Sequence, residues 1–313
     1  MAFRILDSHV PPPIRHLPDG AVIPEPGRRG VSVVIPTHER PERLERCLTA
    51  LARSDVSEID LEVVVVDDGS TEPPTGIVAD VAGRLDVRLH SQTNAGPAVA
   101  RNVGARLARH PSLAFTDDDC VPEPGWAGRV TRPLLDVPTA LVGGATVNGV
   151  DRIAPAASHH LVEALYRWYE NHPVGAFWTS NNLACDRDAF LGVGGFDETF
   201  PLPAGEDREL GVRWTRQVGP RLGAPDAVVA HHHDMGVRGF LRQHRNYGRG
   251  AARYRDVLAD AGETVDTMPP SFYATLLAEP FRHEPVWRAV PIGALVAASQ
   301  VATVAGFVLE RRR

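Results

Sequence analysis

The sequence LEVVVVDDGS occupies residues 61–70 and decides the fold class. Its valine run is typical of a strand buried on both faces, and the acidic residues that follow form a turn. The same arrangement recurs at residues 31–40, where VSVVI precedes PTHER, and at residues 112–119, where SLAFT precedes three aspartates. We therefore expect three parallel strands whose polar exits lie along one edge of one sheet.

Helical patterns separate these strands. Apolar residues recur at helical spacing over residues 40–53, and further helices are predicted over residues 76–84 and 97–109, with a short strand over 87–90. Strands that alternate with helices through the first 120 residues predict an α/β fold with a mostly parallel, doubly wound sheet. The second half is less regular, with a strand predicted over residues 140–147 and helices over 207–217 and 237–258.

The composition is that of a soluble globular protein, with 43% hydrophobic and 23% charged residues in 313. A formal net charge of −6 provides no global basic field, so nucleic acid is not an expected partner and any phosphate must be attracted locally. Cys47, Cys120 and Cys185 lack a metal-ligand pattern and are interpreted as reduced thiols of a cytoplasmic protein. The first residues lack the apolar run of a secretory signal, so export is not indicated.

Three consecutive carboxylates, Asp117, Asp118 and Asp119, follow the predicted strand at residues 112–116. Clustered carboxylates repel one another unless a cation or a set of donors offsets their charge, and oxygen ligands suit Mg²⁺ or Mn²⁺. In an extended segment Asp117 and Asp119 would point to the same side and reach one ion. A solvated acidic turn is the alternative for the triplet alone. Likewise Asp68 could accept hydrogen bonds from a base or a ribose, or belong to an ordinary Asp-Gly turn.

Several motifs occur in a fixed order: VVIPT at residues 33–37, VVDDGS at 65–70, NAG at 94–96, ARNVG at 100–104 and FTDDD at 115–119. In this order and spacing the chain resembles the family-2 glycosyltransferases, which have the Rossmann-like GT-A fold. Further on, SNN at 180–182, GGFD at 194–197 and GEDREL at 205–210 resemble that family's acceptor-side motifs. The resemblance covers about residues 30–250. It implies a hexosyltransferase-type enzyme that moves a sugar from a UDP, GDP or dTDP donor to an acceptor hydroxyl, with inversion.

The resemblance also implies roles for particular side chains. The nucleotide-binding residues would be Pro36, Thr37, Glu39, Asp68 and Asp118. The ligands of a Mn²⁺ or Mg²⁺ ion would be Asp117, Asp119 and His231. Because residues 231–233 are all histidines, the sequence leaves open which of the three faces the metal. The acceptor-side residues would be Asn181, Asn182 and Glu206, with Asp207 as the catalytic base.

Aromatic and basic residues add two further hypotheses. Trp168, Tyr169, Phe177 and Trp178 would form either a sugar-stacking platform, in which Trp178 contacts a sugar, or part of the core. Arginines within residues 243–253 would hold phosphate or acceptor groups, or form a solvated helix face.

Two other functions are compatible with parts of the pattern. A sugar-phosphate nucleotidyltransferase also binds a nucleotide and Mg²⁺ on an α/β sheet, but the glycine-rich basic loop expected after its first strand is missing from residues 36–40. A noncatalytic nucleotide-sugar-binding subunit would retain the fold without turnover.

The chain is expected to divide into a lead segment at residues 1–29, a GT-A catalytic domain at 30–258 and a helical C-terminal extension at 259–313. Residues 289–309 are nearly free of charge and long enough to cross a bilayer. One crossing cannot place both the catalytic part and the terminal arginines inside. We expect a helix packed on the domain, lying in the membrane interface or paired with residues 280–287. The expected setting is the inner face of the cytoplasmic membrane, with a lipid-linked acceptor.

Overall fold

The computed structural model describes residues 29–53, 59–170, 178–200, 204–260 and 268–312. The predicted lead segment, except Arg29, and Phe177 lie outside the described residues. The strands are β1 Arg29–Thr37, β2 Ile59–Asp67, β3 Asp86–Ser91, β4 Ser112–Thr116, β5 Cys120–Pro122, β6 Leu141–Asn148, β7 Asn182–Asp186 and β8 Arg221–His231. The helices are α1 Pro41–Ala52, α2 Thr75–Val81, α3 Pro97–Leu107, α4 Trp126–Thr131, α5 Ile153–Glu170, α6 Arg187–Gly192, α7 Glu206–Gln217, α8 Val237–Asp260, α9 Pro270–Ala278, α10 Pro280–His283 and α11 Val286–Glu310.

The strands form one eight-stranded sheet in the order β3-β2-β1-β4-β7-β6-β8-β5. β1 pairs in parallel with β2 and β4, and β2 pairs in parallel with β3, as predicted for the first 120 residues. β7 is antiparallel to both β4 and β6, and the short β5 is antiparallel to β8. β6 and β8 are parallel. The mostly parallel sheet with flanking helices is confirmed.

The valine runs form strands because both faces of the sheet are covered. Val33 and Val63 point toward a core shared with α1, whereas Val34 faces a second core on the opposite side. Gly104 of α3 lies against Val34, since a Cβ atom there would lie 2.3 Å from Val34 Cγ1. The missing side chain lets α3 approach the sheet closely. The first half is therefore a three-layer sandwich with its polar exits at one end.

The C-terminal helices pack on α5 and α8. Ile292 and Val296 of α11 share a hydrophobic core with Phe240 of α8 and with α5. α8 ends at Asp260, two residues beyond the predicted domain boundary. α11 is also long and apolar enough to cross a membrane by length and composition.

Candidate active site

The exits of β1 and β2 are tied together by side chains at the sheet edge. Glu39 adopts a left-handed conformation with φ of 53°, and its N–H donates to Ser70 Oγ at 2.9 Å. Its carboxylate accepts hydrogen bonds at 2.6 Å from both the N–H and the hydroxyl of Thr71. At the exit of β4, Asp118 accepts a hydrogen bond from Thr37 at 2.8 Å. The three polar exits therefore meet, as the sequence predicts.

Asp68 holds the loop that precedes α3. Its two oxygens accept hydrogen bonds at 2.8 Å from the N–H groups of Ala95 and Gly96, and one of them also accepts from Gln92 Nε2. The neighbouring Asp67 is 1% exposed, and its Oδ2 has no hydrogen-bond partner among the described residues. The unpartnered acceptor at this corner thus belongs to Asp67, whereas sequence reasoning singled out Asp68.

The predicted extended conformation of the aspartate triplet is wrong. The N–H of Cys120 donates to the Asp117 carbonyl at 3.0 Å, which closes a turn. The turn sends the carboxylates in different directions: Asp117 pairs with Arg101 at 2.6 Å, and Asp119 pairs with Arg43 at 3.0 Å. Asp117 and Asp119 therefore do not share one side by strand alternation.

Asp118 is buried between the other two acids. It accepts from Thr37 and lies 3.3 Å from Arg40 Nη1. Burial, followed by the charge of Asp119, raises the pKa of Asp118 to about 6, although Arg40 and Thr37 oppose the shift. Its ionisation therefore depends on the cations around it.

Asp119 meets a histidine across the paired strands β5 and β8. Cys120 is the register partner of His231, and His231 Nε2 lies 3.2 Å from Asp119 Oδ1. Burial raises the pKa of Asp119, but the hydrogen bond and charge of His231 outweigh it, so the net shift is downward. His233 stacks on His231 at 4.9 Å. His231, which the sequence predicts as a metal ligand, is thus the histidine of the three whose ring contacts the Asp119 carboxylate.

The chemistry of this corner fits a divalent cation. Ligand atoms of Asp119, Cys120 and His231 all lie within 4.8 Å of one another. Cys120 is fully buried, and burial raises the pKa of its thiol well above the usual value, so the thiol stays protonated. The available ligands are then a carboxylate oxygen and an imidazole nitrogen, which suit Mn²⁺ or Mg²⁺.

A buried arginine joins the acids at the exit of β4 to the predicted acceptor-side acids at the start of α7. Arg101 is 3% exposed, pairs with Asp117, and places Nη1 3.5 Å from Glu206 Oε1. Burial and the charge of Asp207 raise the pKa of Glu206 to about 8, and burial also raises the pKa of Asp207. Arg101 thus sits among three carboxylates that its single charge does not neutralise.

Asp207 lies in the first turn of α7, where its carboxylate accepts the N–H of Arg208 at 2.8 Å. It lines a small cavity together with Trp178, Tyr169 and Arg221. The ring of Trp178 covers Gly143 of β6, because a Cβ atom there would lie 2.1 Å from the indole. Trp178 and Asp207 therefore share one wall of the predicted acceptor side.

The two asparagines of the SNN motif are both buried but differ in their hydrogen bonds. Asn182 is 2% exposed; its amide donates to the carbonyls of Ala145 and Ala227 and accepts from Trp126 Nε1. These bonds give Asn182 a structural role. Asn181 accepts from Thr179 at 2.7 Å, and no described residue accepts from its amide nitrogen.

The other aromatic and basic residues fall in several places. Trp168 packs edge-on against Phe272 in the core at 5.3 Å, which matches the core alternative. Arg249 pairs with Glu310 of α11 at 2.6 Å, and Arg253 donates to Thr199.

Arg40, Arg43 and Arg101 form ion pairs with the aspartate triplet, a role that the sequence pattern did not predict. Arg40 and Arg43 flank the start of α1 immediately after the β1 exit, and Arg101 belongs to the ARNVG motif. Their positions next to the polar exits were the available signal.

The chain is similar to known glycosyltransferases. The family model for Glycosyl transferase family 2 matches residues 32–191. A pre-mycofactocin glycosyltransferase of Mycobacterium tuberculosis is 32% identical over 237 residues, covering 72% of this chain and 48% of that protein. A validoxylamine A glucosyltransferase of Streptomyces hygroscopicus subsp. limoneus is 35% identical over 233 residues, covering 63% and 51%. The chain thus spans about half the length of these curated relatives.

A solved structure shares the fold. A mannosyltransferase from Pyrobaculum calidifontis, in complex with GDP-Man and Mn²⁺, matches with a TM-score of 0.57 at 21% identity, covering 91% of this chain and 79% of that one. The predicted GT-A-like fold is confirmed.

Proposed function

Because the chain belongs to glycosyltransferase family 2, we propose that it transfers a sugar from a nucleotide-diphosphate donor to an acceptor hydroxyl, in the synthesis of a glycan or glycolipid. One observation carries the proposal: buried Arg101 lies between Asp117 on the nucleotide side and Glu206, the neighbour of Asp207, on the acceptor side. Relatives named as a glycosyltransferase and a glucosyltransferase support the reaction class.

The nucleotide would bind at the joined exits of β1, β2 and β4. Thr37 and Asp118 form one wall, and Glu39 orders the adjoining turn. Asp67 Oδ2 is a buried acceptor suited to a base N–H or a ribose hydroxyl, while Asp68 keeps the opposite loop in place. Pro36 stays a predicted contact of the nucleotide.

Asp119 and His231 would hold Mn²⁺ or Mg²⁺, and the Mn²⁺ in the solved mannosyltransferase complex supports a cation of this kind. Asp117 accepts a hydrogen bond from Arg101, and its role as a further ligand of the cation stays a prediction. A bound divalent cation supplies charge stabilisation to a leaving diphosphate.

Asp207 would act as the general base. Burial raises the pKa of this carboxyl group, which strengthens it as a proton acceptor once it is ionised. It would take the proton of the acceptor hydroxyl as the oxygen attacks the anomeric carbon from the side opposite the diphosphate, with inversion. Such a base contributes roughly a hundredfold or more to the rate.

The acceptor would approach along a groove that ends near the metal corner. The groove has a volume of about 620 Å³ and is lined by Asn148, Gly149, Val150, Asp151, Glu284, Trp287 and Arg288. Gly149 donates its N–H to the His231 carbonyl at 2.9 Å, so one end of the groove adjoins this corner. Trp287, which is 71% exposed, also lines the groove. A long acceptor with polar groups and an apolar portion, such as a lipid-linked sugar, suits this path.

A donor screen followed by one substitution tests the proposal. UDP-, GDP- and dTDP-sugars should raise the melting temperature in the presence of Mn²⁺, and the best donor should give a glycosylated product with an alkyl glycoside acceptor. Asp207→Asn should keep donor binding and lose about a hundredfold or more in turnover. Exchange of pyrophosphate into the donor would indicate the nucleotidyltransferase alternative instead. Donor binding with no turnover in the unsubstituted protein would indicate the noncatalytic subunit.

A further inference from the structure

The outward face of α11 is a continuous apolar stripe. Its residues recur at alternating spacings of three and four, and Val301 and Trp287 are 72% and 71% exposed. The stripe consists of Trp287, Val290, Ala294, Ala297, Val301, Val304 and Val308, all exposed. At 1.5 Å per residue it extends for about 32 Å. No charged residue occurs between residues 289 and 309. An exposed apolar surface of this extent is typical of an interaction site.

The opposite face fixes α11 to the rest of the molecule. A Cβ atom on Gly306 would lie 1.9 Å from the Arg245 carbonyl oxygen, and one on Gly248 would lie 1.9 Å from the Thr303 carbonyl oxygen. The two backbones therefore touch along α8. Ile292 and Val296 extend the contact into the core shared with α5. α11 consequently presents its stripe sideways, along its whole length, and is not free to cross a bilayer alone.

A row of exposed arginines lies on α8, the helix against which α11 packs. Arg238, Arg242 and Arg245 of α8 are exposed and follow one another at spacings of four and three, so they share one helix face. None of them has an ion-pair partner within the described ranges. The backbone of Arg245 touches Gly306, which places the row beside α11. Arg311 and Arg312 add positive charge at the end of α11. This is a local basic surface on a chain whose net charge is −6.

We propose that the α11 stripe and the α8 arginine row form a docking surface for an anionic lipid bilayer, with α11 lying in the plane of the membrane. Apolar residues would enter the acyl boundary while the arginines meet phosphate headgroups. Trp287, at one end of the stripe, is the side chain type enriched at that boundary. A second copy is a poorer occupant, because its own stripe carries no acidic residue that could pair with the arginine row. The inference goes beyond the proposed function and does not require it.

Vesicle binding by the full chain tests the surface directly. Sedimentation with phosphatidylcholine vesicles, with and without phosphatidylglycerol, measures the partition coefficient. We expect binding that requires the anionic lipid and weakens with salt. Val301→Glu/Val304→Glu changes two exposed side chains and should reduce binding about tenfold or more. Arg242→Gln/Arg245→Gln should reduce it roughly 10- to 30-fold on anionic vesicles. Leu135→Glu, at another exposed apolar site (52%) outside the stripe, is the control and should bind as the unsubstituted chain does.

The same protein variants and vesicles also provide the results that would overturn the proposal. No binding of the unsubstituted chain to anionic vesicles, or equal binding by the valine variant, overturns the proposal. A dimer in sedimentation velocity that Val301→Glu/Val304→Glu converts to a monomer would assign the stripe to a second copy and also overturn it. Melting temperatures of the variants establish that they fold. Donor-induced melting shifts are measured without vesicles, so failure of the proposed function would be seen separately.

Discussion

The imidazole Nε2 of His231 lies 3.2 Å from Asp119 Oδ1, across paired strands that are far apart in sequence. The β5–β8 register produces this meeting, because Cys120, the residue after Asp119, is the partner of His231. The ring of His232 instead lies against Gly149. The two adjacent histidines therefore have different environments, which makes them a matched pair for substitution.

His231→Ala should reduce Mn²⁺-dependent sugar transfer by about 10- to 100-fold, because it removes an imidazole ligand beside Asp119. The measurement is turnover as a function of Mn²⁺ concentration, where a raised half-saturation point is expected. His232→Ala should change neither value by more than about twofold. Equal effects of the two substitutions would contradict the assignment of His231 to the cation.

The pH dependence of kcat/KM should reflect the ionisation of Asp207 and Glu206, the two acids at the start of α7. A general base works when ionised, and burial raises the pKa of Asp207, so kcat/KM should fall as the pH decreases through a value above the usual carboxyl range. The neighbouring Glu206, with a pKa of about 8, adds a like charge when it ionises. Because the charge of Asp207 raises the pKa of Glu206, Glu206 ionises after Asp207, and Glu206→Gln should alter the profile near pH 8 while leaving the acid limb in place. Asp188→Asn, at a site 84% exposed, should leave the whole profile unchanged.

The first half of the fold could be predicted because its signals are local. Each buried parallel strand is a continuous β-branched run, and its exit is polar, so strand type and site edge can be inferred together. β8 gave no such signal, since Gly223 and Pro225 interrupt it. Pro225 has no N–H, and the pairing with β6 jumps from Ala224 to Val228.

The carboxylates of the candidate site could be predicted from the sequence, but the arginines that pair with them could not. Arginines on helices are usually solvated, so the sequence did not distinguish Arg101, which is 3% exposed, from its neighbours. The turn that separates Asp117 from Asp119 depends on the antiparallel pairing of β5 with β8. That pairing joins residues more than a hundred positions apart, beyond the reach of local patterns.

Asp68→Asn should weaken donor binding through the loop before α3. The carboxylate accepts two backbone N–H groups, and an amide nitrogen in place of one oxygen would face a donor. We expect the loss of about 1–3 kcal/mol of loop stability and a raised donor KM with a smaller effect on kcat. Proteolysis or hydrogen exchange at residues 92–96 would report the loosened loop. An unchanged exchange rate there would show that the loop does not depend on Asp68.

Glu62→Gln should destabilise the protein in a pH-dependent manner. Glu62 is fully buried and accepts hydrogen bonds from Ser32, Arg88 and Arg109. Burial opposes ionisation, but these donors outweigh it and lower the pKa from 4.5 to about 2. The folded-state pKa is depressed, so the stabilisation is present above pH 4.5 and is lost as the pH falls toward 2. Urea unfolding should give a difference of about 2–3 kcal/mol at pH 7 that shrinks below pH 4.5.

Gly248→Ala should separate α8 from α11, because the new methyl group would lie 1.9 Å from the Thr303 carbonyl oxygen. A backbone atom cannot rotate away as a flexible side chain can, so we expect a loss of about 1–3 kcal/mol in unfolding free energy. Gly239→Ala, in the same helix, meets only Met235 Cβ at 3.5 Å and should be neutral or stabilising by about 0.5–1 kcal/mol. Thermal or urea unfolding of the two variants makes the comparison. Equal stabilities would mean that the two helices do not touch at Gly248, and the rigid seating of α11 on α8 would have to be abandoned.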